Sequence, residues 1–255
     1  MSARVAALPC CAAALALFAA ATVWAQPPAG ARPEPPKSAR ESAAIDLTGQ
    51  WVSIVNEDWR WRMVTPPKGD YTSVGPLNAT GKAVADKWDR SEDGSCRAYG
   101  AAGLMRMPTR LRIDWDGDSV LAVRTDAGAQ LRRFEFTPQN DGGAPSLQGH
   151  SVASWQRTVP PPGPPRGAPP AGGSLKVVTS KLVAGWLRKN GVPYSADTTL
   201  TEYYDRFAAP NGDDWLVVTT IVEDPQYLNG RFITSSHFRR EKDRSKWNPN
   251  PCRPL

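Results

Sequence analysis

Side chains suited to acid–base chemistry are few in this chain, and they lie in segments with the composition of strands. His150 and His237 are the two histidines, in GHS and TSSHF, and serines lie beside both. Glu202 lies in TEYYDR and, if it points inward, is a buried carboxylate of the kind that transfers protons. Glu202 with one histidine is therefore the candidate pair for isomerase, cyclase or hydrolase chemistry. The alternative is a surface Glu202 paired with Arg206.

The residues around the histidines argue against a nucleophilic triad and against a metal site. The chain has no G-x-S-x-G turn, and in a strand Ser151 points to the face opposite that of His150. Neither histidine has a second ligand at the spacing that metal sites use. The sequence therefore predicts no metal and no cofactor. The alternative role for both histidines is hydrogen bonding in or near the core.

The segment NEDWRWRMV indicates ligand binding. In a strand, Trp59 and Trp61 share one face, while Arg60 and Arg62 share the other. The tryptophans are either core residues or the wall of a ligand cavity, and inward arginines would hold a carboxylate or phosphate by paired hydrogen bonds. Ten tryptophans fit a pocket for an apolar or aromatic ligand, and they fit an ordinary core as well. The other candidate lining residues are aromatic: Trp115, Trp155 and Tyr204.

The N-terminus has the features of an export signal. Arg4 is followed by an apolar run over residues 5–21 and by Val23-Trp24-Ala25, which fits a small-x-small cleavage site. The run is shorter than the roughly 20 residues of a membrane span. We expect residues 1–25 to be a signal peptide and the protein to be periplasmic or secreted. Lipidation at Cys10 or Cys11 stays open, although both precede most of the apolar run.

Two cysteines remain after cleavage, Cys96 and Cys252, and an even pair in an oxidising compartment predicts one disulfide. The alternative is two free thiols.

The mature chain keeps 30 basic and 25 acidic residues, a net charge of +5 that is spread along the sequence. Clusters such as Arg132-Arg133 and Arg239-Arg240 are typical of solvated strand faces. Nucleic-acid-binding proteins concentrate their charge, so nucleic acid is not an expected partner.

Composition divides the mature chain into a tether and one domain. Residues 26–44 are rich in Pro and Ala and predict a disordered tether. Residues 45–255 suit a single β domain. A Pro-rich stretch at 159–174 cannot join a sheet interior, so we interpret it as an overgrown hairpin tip.

The elements that must position the candidate residues are almost all strands. RLRIDW, SVLAVRTD and AQLRRFEF form a meander with short turns, and three longer strands follow from TLTEYYDRF onward. Only NATGKAVADKW has a helical pattern, with Asn78 as its N-cap. Consecutive antiparallel strands must close or stack to hide their edges. The prediction is therefore all-β: an up-and-down antiparallel barrel of about 8–10 strands with one short helix, or alternatively a β-sandwich.

Two resemblances extend this prediction. Gly49-Gln50-Trp51 opens the first strand and Arg239 or Arg240 ends the last, which resembles the calycin (lipocalin-like) pattern. In calycins the G-x-W tryptophan closes one end of the barrel beneath an arginine of the final strand, which implies a ligand-binding barrel. The motifs GHSVASW, GSLKVVT, NGVPYSADTTLTEYY and WLVVTTIVEDPQYL resemble a group of exported bacterial proteins of unknown function. That resemblance implies export and a β fold, and it implies no activity.

Together these features predict an exported, lipocalin-like protein that binds a small apolar or aromatic ligand. The first alternative is an enzyme on the same barrel, with Glu202 within about 4 Å of a histidine. The second is an envelope interaction module, with a filled barrel and an exposed apolar patch. We expect a small-molecule partner and no membrane span.

Overall fold

The structure is a computed structural model, and it describes residues 37–55, 62–89, 96–138, 140–157 and 172–252. Trp59, Arg60 and Trp61 lie outside the described residues, as do the predicted signal peptide and most of the Pro-rich stretch. Helices long and apolar enough to cross a membrane are absent from these described ranges.

Strands dominate the described part of the chain. In chain order they are β1 (Gly49–Ile54), β2 (Arg110–Asp116), β3 (Val120–Thr125), β4 (Ala127–Gly128), β5 (Leu131–Glu135), β6 (His150–Arg157), β7 (Gly173–Ser180), β8 (Gly185–Trp186), β9 (Pro193–Tyr194), β10 (Thr199–Ala208), β11 (Asp214–Glu223), β12 (Phe232–Glu241) and β13 (Asn250–Pro251). The nine strands longer than two residues close into a barrel. The prediction of an all-β barrel is therefore confirmed over the sandwich alternative.

The order around the barrel follows the chain, β1-β2-β3-β5-β6-β7-β10-β11-β12, and β12 then pairs with β1. Eight of these nine contacts are antiparallel. The exception is β5 with β6, which is parallel and places Phe134 opposite Ser151. Strands that alternate in direction can close only in even numbers. A nine-stranded barrel therefore needs a parallel pair, a feature that the antiparallel prediction did not contain.

Alternating side chains fill the barrel. Along β11, Leu216, Val218, Thr220 and Val222 are buried, and the residues between them are half-buried. Successive side chains of a strand point to opposite faces, so the buried set faces the interior. A shift of one residue would expose this set, so the alternation fixes the register of the strand.

The lower end of the barrel, where β1 begins and β12 ends, is closed by Trp51. Its Nε1 donates to the Leu47 carbonyl at 3.0 Å, and the guanidinium carbon of Arg240 lies 4.4 Å from the ring centroid. Arg240 also donates to the Thr48 carbonyl at 2.7 Å. The tryptophan and the arginine of the calycin-like pattern are thus in contact. The arginine is Arg240, since Arg239 is exposed.

The predicted helix is present as α1 (Ala79–Lys87). It begins where expected, because the Asn78 side chain accepts a hydrogen bond from the Gly81 amide at 2.8 Å. A short 3-10 helix (Arg97–Tyr99) and a single turn, α2 (Ala101–Leu104), follow it.

The upper end of the barrel is covered by an apolar plug, which we define as α2 together with residues 182–194. Its buried members pack on the upper barrel residues Leu200, Val222 and Phe232. They are Ala101, Ala102, Leu182, Leu187, Val192 and Tyr194. The Tyr194 hydroxyl lies so close to Gly100 and Gly185 that a Cβ at either glycine would overlap it.

The predicted disulfide between Cys96 and Cys252 is present, with the two Cα atoms 5.7 Å apart. The residues before Cys252 form β13, which pairs in parallel with β4. The amide of Asn250 donates to the Asp126 carbonyl at 2.8 Å. The C-terminal segment is therefore held against the chain that follows β3.

Candidate functional site

A pocket opens at the upper end of the barrel, beside the plug, with a cavity volume of about 270 Å³. We call it the basic pocket, because four of its described lining residues are cationic and none is Asp or Glu. The lining residues are Arg62, Met63, Thr65, Tyr99, Gly103, Arg106, Met107, Pro108, Ala127, Leu187, Arg188 and Lys189.

Arg62, a predicted ligand-binding residue, is fixed in this pocket by hydrogen bonds. Its Nε donates to the Arg106 carbonyl at 3.0 Å, and its Nη1 donates to the Ile54 carbonyl at 2.9 Å. Its Nη2 donates to the Ser53 hydroxyl at 2.7 Å. These bonds tie the guanidinium to the end of β1 and to the segment before β2. Arg62 therefore supplies a fixed positive charge at the pocket wall.

Arg106 and Arg188 connect the pocket to its surroundings. The guanidinium carbon of Arg106 lies 5.2 Å from the ring centroid of Phe232, at the edge of the plug. Arg188 donates from Nη2 to the Val64 carbonyl at 3.2 Å. Arg62, Arg106 and Arg188 each make further interactions. Part of their bonding capacity therefore holds the shape of the pocket.

Lys189 contacts a side chain that also lines the pocket, Tyr99. Its Nζ donates to the Tyr99 hydroxyl at 3.2 Å and lies 4.8 Å from the ring centroid. The Tyr99 ring is held by the close approach of Gly128, and the Tyr99 carbonyl accepts from Gln148 Nε2 at 2.8 Å. An ammonium group on a flexible stem can turn from the phenol to an incoming anion. Lys189 and Tyr99 are thus a charged and an aromatic contact placed side by side.

The disulfide lies behind this wall of the pocket. Cys96 directly precedes the 3-10 helix that carries Tyr99, and Cys252 follows β13, which pairs with β4 at Ala127. Tyr99 and Ala127 both line the pocket. The covalent bond therefore joins the Tyr99 segment to β13, which is paired in turn with the Ala127 segment.

The aromatic residues predicted to line a cavity lie deeper in the barrel. Trp115 and Trp155 come together at the lower end, with ring centroids 6.5 Å apart and Phe136 within 5.5 Å of both. Tyr204 packs separately against Phe134, at 5.4 Å between centroids. None of the three predicted residues is among the described lining residues of the basic pocket.

Glu202 is fully buried inside the barrel, where it pairs with Arg132. The two side chains meet at 2.6 Å between Nη2 and Oε2, and at 2.9 Å between Nη1 and Oε1. The alternative pairing with Arg206 is not formed, because Arg206 contacts Asp214 at 2.7 Å instead. The expectation of a solvated Arg132 is wrong: alternation along β5 points it inward, while Arg133 faces solvent.

The wall of the barrel separates Glu202 from both histidines. His150 begins β6 on the outer face, with its Nε2 3.4 Å from Oε2 of Glu135. His237 lies on the outer face of β12, because its strand neighbours Ser236 and Phe238 are the buried ones. The structure therefore does not bring the candidate acid and base together. Among the described residues there is also no group of three His, Cys, Asp or Glu placed to hold a metal.

Burial sets the charge states inside the barrel. Desolvation raises the pKa of the Tyr204 phenol well above its ordinary value, and the nearby Glu202 carboxylate adds to this rise. Burial by itself lowers the pKa of Arg132, but the electrostatic attraction and hydrogen bonds of Glu202 and Tyr204 together outweigh it, and the pKa is raised. Tyr204 is therefore neutral and Arg132 charged at physiological pH.

Of the described lining residues, sequence reasoning predicted Arg62 alone, and it missed the other cationic and aromatic ones: Tyr99, Arg106, Arg188 and Lys189. They come from connecting segments, where neither alternation nor helical spacing marks a shared face. The signal that could have found part of the site is the adjacent pair Arg188-Lys189, just before the turn at Gly191.

Comparison with known proteins identifies no family for this chain. No family model matches it, and no solved structure matches it. One curated protein, the mouse (Mus musculus) pleckstrin homology domain-containing family G member 5, is 35% identical over 83 residues. The match covers 32% of this chain and only 8% of the mouse protein.

Proposed function

We propose that this protein binds a small organic anion, a carboxylate or phosphate ester that carries an apolar or aromatic group, in the basic pocket. The observation that carries the proposal is the convergence of four cationic side chains from three separate chain segments on one half-enclosed cavity. Positive charge on the walls of a cleft raises the local concentration of anions, so the pocket suits a negatively charged ligand.

The pocket offers different partners to the two parts of such a ligand. Lys189 is placed to hold the anionic group, because its ammonium is mobile on a flexible stem. The apolar part has Met63, Met107 and Leu187 on the walls, together with the Tyr99 ring. The volume of about 270 Å³ is just below the usual range for drug-sized ligands, so the ligand is small.

Two further expectations support this proposal and remain part of it. The closed barrel and the contact of Trp51 with Arg240 support a place among calycin-like, ligand-binding barrels. The disulfide supports export to the periplasm or beyond, because such bonds persist in oxidising compartments. The alternative of an envelope interaction module depends on the tether and the Pro-rich loop. It stays a prediction, because both lie largely outside the described residues.

Calorimetric titration with phenyl phosphate, benzoate and neutral benzyl alcohol tests the proposal. We expect the two anions to bind and benzyl alcohol not to bind, with affinity that falls as salt is added. Lys189→Gln should weaken phenyl phosphate about tenfold, since a charge-assisted hydrogen bond contributes on the order of 1.5 kcal/mol.

Lys82→Gln is the matched control, because Lys82 is an exposed lysine on α1 that does not line the pocket. It should bind phenyl phosphate as the wild type does. Equal binding of benzyl alcohol and the anions, or equal affinity in the Lys189 and Lys82 variants, would show that the pocket is not an anion site.

A further inference from the structure

The middle of the barrel contains an ion pair that crosses the interior. Arg132 extends from β5, and Glu202 lies on β10, three strands away around the wall. Both side chains have no exposed surface. The plug covers this layer from above, and Trp51 closes the barrel below it. Opposite charges balance here, so the centre of the barrel is polar but carries no net charge.

Hydroxyl groups surround the ion pair. Arg132 donates from Nη2 to the Thr179 hydroxyl at 3.1 Å, and the Thr179 and Ser151 hydroxyls are 2.8 Å apart. The Tyr204 hydroxyl lies 3.5 Å from Nη1 of Arg132. These contacts give partners to the hydroxyls of Thr179, Ser151 and Tyr204.

The opposite side of the layer has buried polar atoms without partners in the described part of the chain. They are Arg132 Nε, Thr220 Oγ1 and Ser236 Oγ. Glu202 Oε2 belongs with them, because its 2.6 Å contact with Arg132 lacks the alignment of a hydrogen bond. Polar groups in protein interiors are almost always paired with protein or with ordered water. Four such atoms in one layer therefore call for a common partner.

Strand register brings these atoms towards one place. Thr220 on β11 lies directly opposite Glu202 on β10. Ser236 on β12 lies opposite Val218 on β11. Val218 is the next inward-facing residue to Thr220 along that strand. β5 is four strands from both β11 and β12, which makes it the opposite wall of a nine-stranded barrel. The inward positions of β5 therefore face those of β11 and β12 across the interior.

We propose that this layer is a binding site for ordered water molecules, held by Arg132 Nε, Glu202 Oε2, Thr220 Oγ1 and Ser236 Oγ. Water fits the site because it donates and accepts equally, as the mixture of an N–H donor, a carboxylate acceptor and two hydroxyls requires. A charged ligand does not fit, because Arg132 and Glu202 already neutralise each other. Folded proteins hold on the order of one buried water per 27 residues, with about three hydrogen bonds each, so a site for a few is expected here.

Water relaxation dispersion, measured with deuterium or oxygen-17, counts water molecules that stay inside a protein for longer than its tumbling time. We expect the intact protein to show internal waters. Thr220→Val should remove at least one from the count and lower the Tm, because the remaining waters lose a partner. Thr220→Ser keeps the hydroxyl, so its internal water count should equal that of the wild type and its Tm should lie close to the wild-type value.

Thr219→Val is the matched control, since Thr219 is the neighbouring threonine of β11 and faces outward. It should leave the internal water count unchanged. The proposal is overturned if Thr220→Val leaves the count as in the wild type and raises the Tm, as removal of a dry, unpartnered hydroxyl would. It is also overturned if native mass spectrometry shows a retained organic molecule that Thr220→Val releases and Thr219→Val keeps. Should Thr220→Val fail to fold, Ser236→Ala gives the same comparison.

Discussion

Removal of the disulfide has an effect whose size follows from the structure. Cys96 and Cys252 are 156 residues apart in the sequence. In the chain-entropy account, a bond that closes a loop of this length restricts the unfolded chain by about 5 kcal/mol at 25 °C. For a domain of about 200 residues, 1 kcal/mol corresponds to about 2–4 °C in Tm. The variant Cys96→Ser/Cys252→Ser should therefore melt roughly 10–20 °C below the wild type.

The same variant should also loosen one wall of the basic pocket. The bond joins the Tyr99 segment to β13, and the pairing of β13 with the Ala127 segment is only two residues long. We expect faster amide hydrogen exchange over residues 97–99 and 126–128, together with weaker binding of phenyl phosphate. Exchange in β10 and β11 should change only as much as the overall loss of stability requires.

Urea denaturation followed by circular dichroism gives the free energy of unfolding for this comparison. Wild-type protein treated with a dithiol reductant is the control, and it should match the double variant. A difference below about 1 kcal/mol between oxidised wild type and variant would refute the entropic reasoning. The link to the pocket wall would be refuted if the free energy of unfolding falls by the expected amount of about 5 kcal/mol while amide exchange at residues 97–99 and 126–128 is unchanged.

Two further predictions concern charged groups. Glu202→Leu leaves Arg132 buried and unpaired, so we expect it to cost about 3–5 kcal/mol in urea denaturation, while Glu202→Leu with Arg132→Met recovers most of this. Equal losses in the single and double variants would contradict that expectation. The hydrogen bond from Arg206 lowers the pKa of Asp214 in the folded protein. The Asp214 carboxylate therefore stabilises the fold above its unfolded pKa of about 3.9, and this stabilisation is lost as the pH falls through the folded pKa. The Tm difference between wild type and Asp214→Asn should therefore shrink below about pH 4 in thermal melts, and a constant difference down to about pH 2 would contradict it.

The elements that the sequence predicted correctly are those with a local physical signature. In β2, Leu111 and Ile113 are buried and alternate with the charged residues Arg112 and Asp114, and this pattern is visible in the sequence as alternating residue types. Asn78 predicted the start of α1 because its side chain can accept from the first turn. Cys96 and Cys252 were the two cysteines left after the predicted cleavage, so their pairing needed no knowledge of the fold.

The features that were missed depend on relations between distant segments. The parallel pair of β5 and β6 follows from the number of strands in the closed barrel, which a local pattern does not fix. Arg132 and Arg133 are equally polar in the sequence, and only the register of β5 decides which one enters the interior. The basic pocket joins Arg62, Arg106 and Arg188 across loops, and loops have no periodicity that would place their side chains together.

The seam between β1 and β12 has a consequence for how the protein is made. Gln50 pairs with Glu241, so the barrel joins its first strand to its last across almost the whole domain. Contacts between residues so far apart in sequence slow folding, because a long stretch of chain must be ordered before they form. Ribosomes deliver β12 after all the other strands of the barrel. The barrel can therefore close only after its last strand has been made, and until then β1 has an unpaired edge that other chains can join.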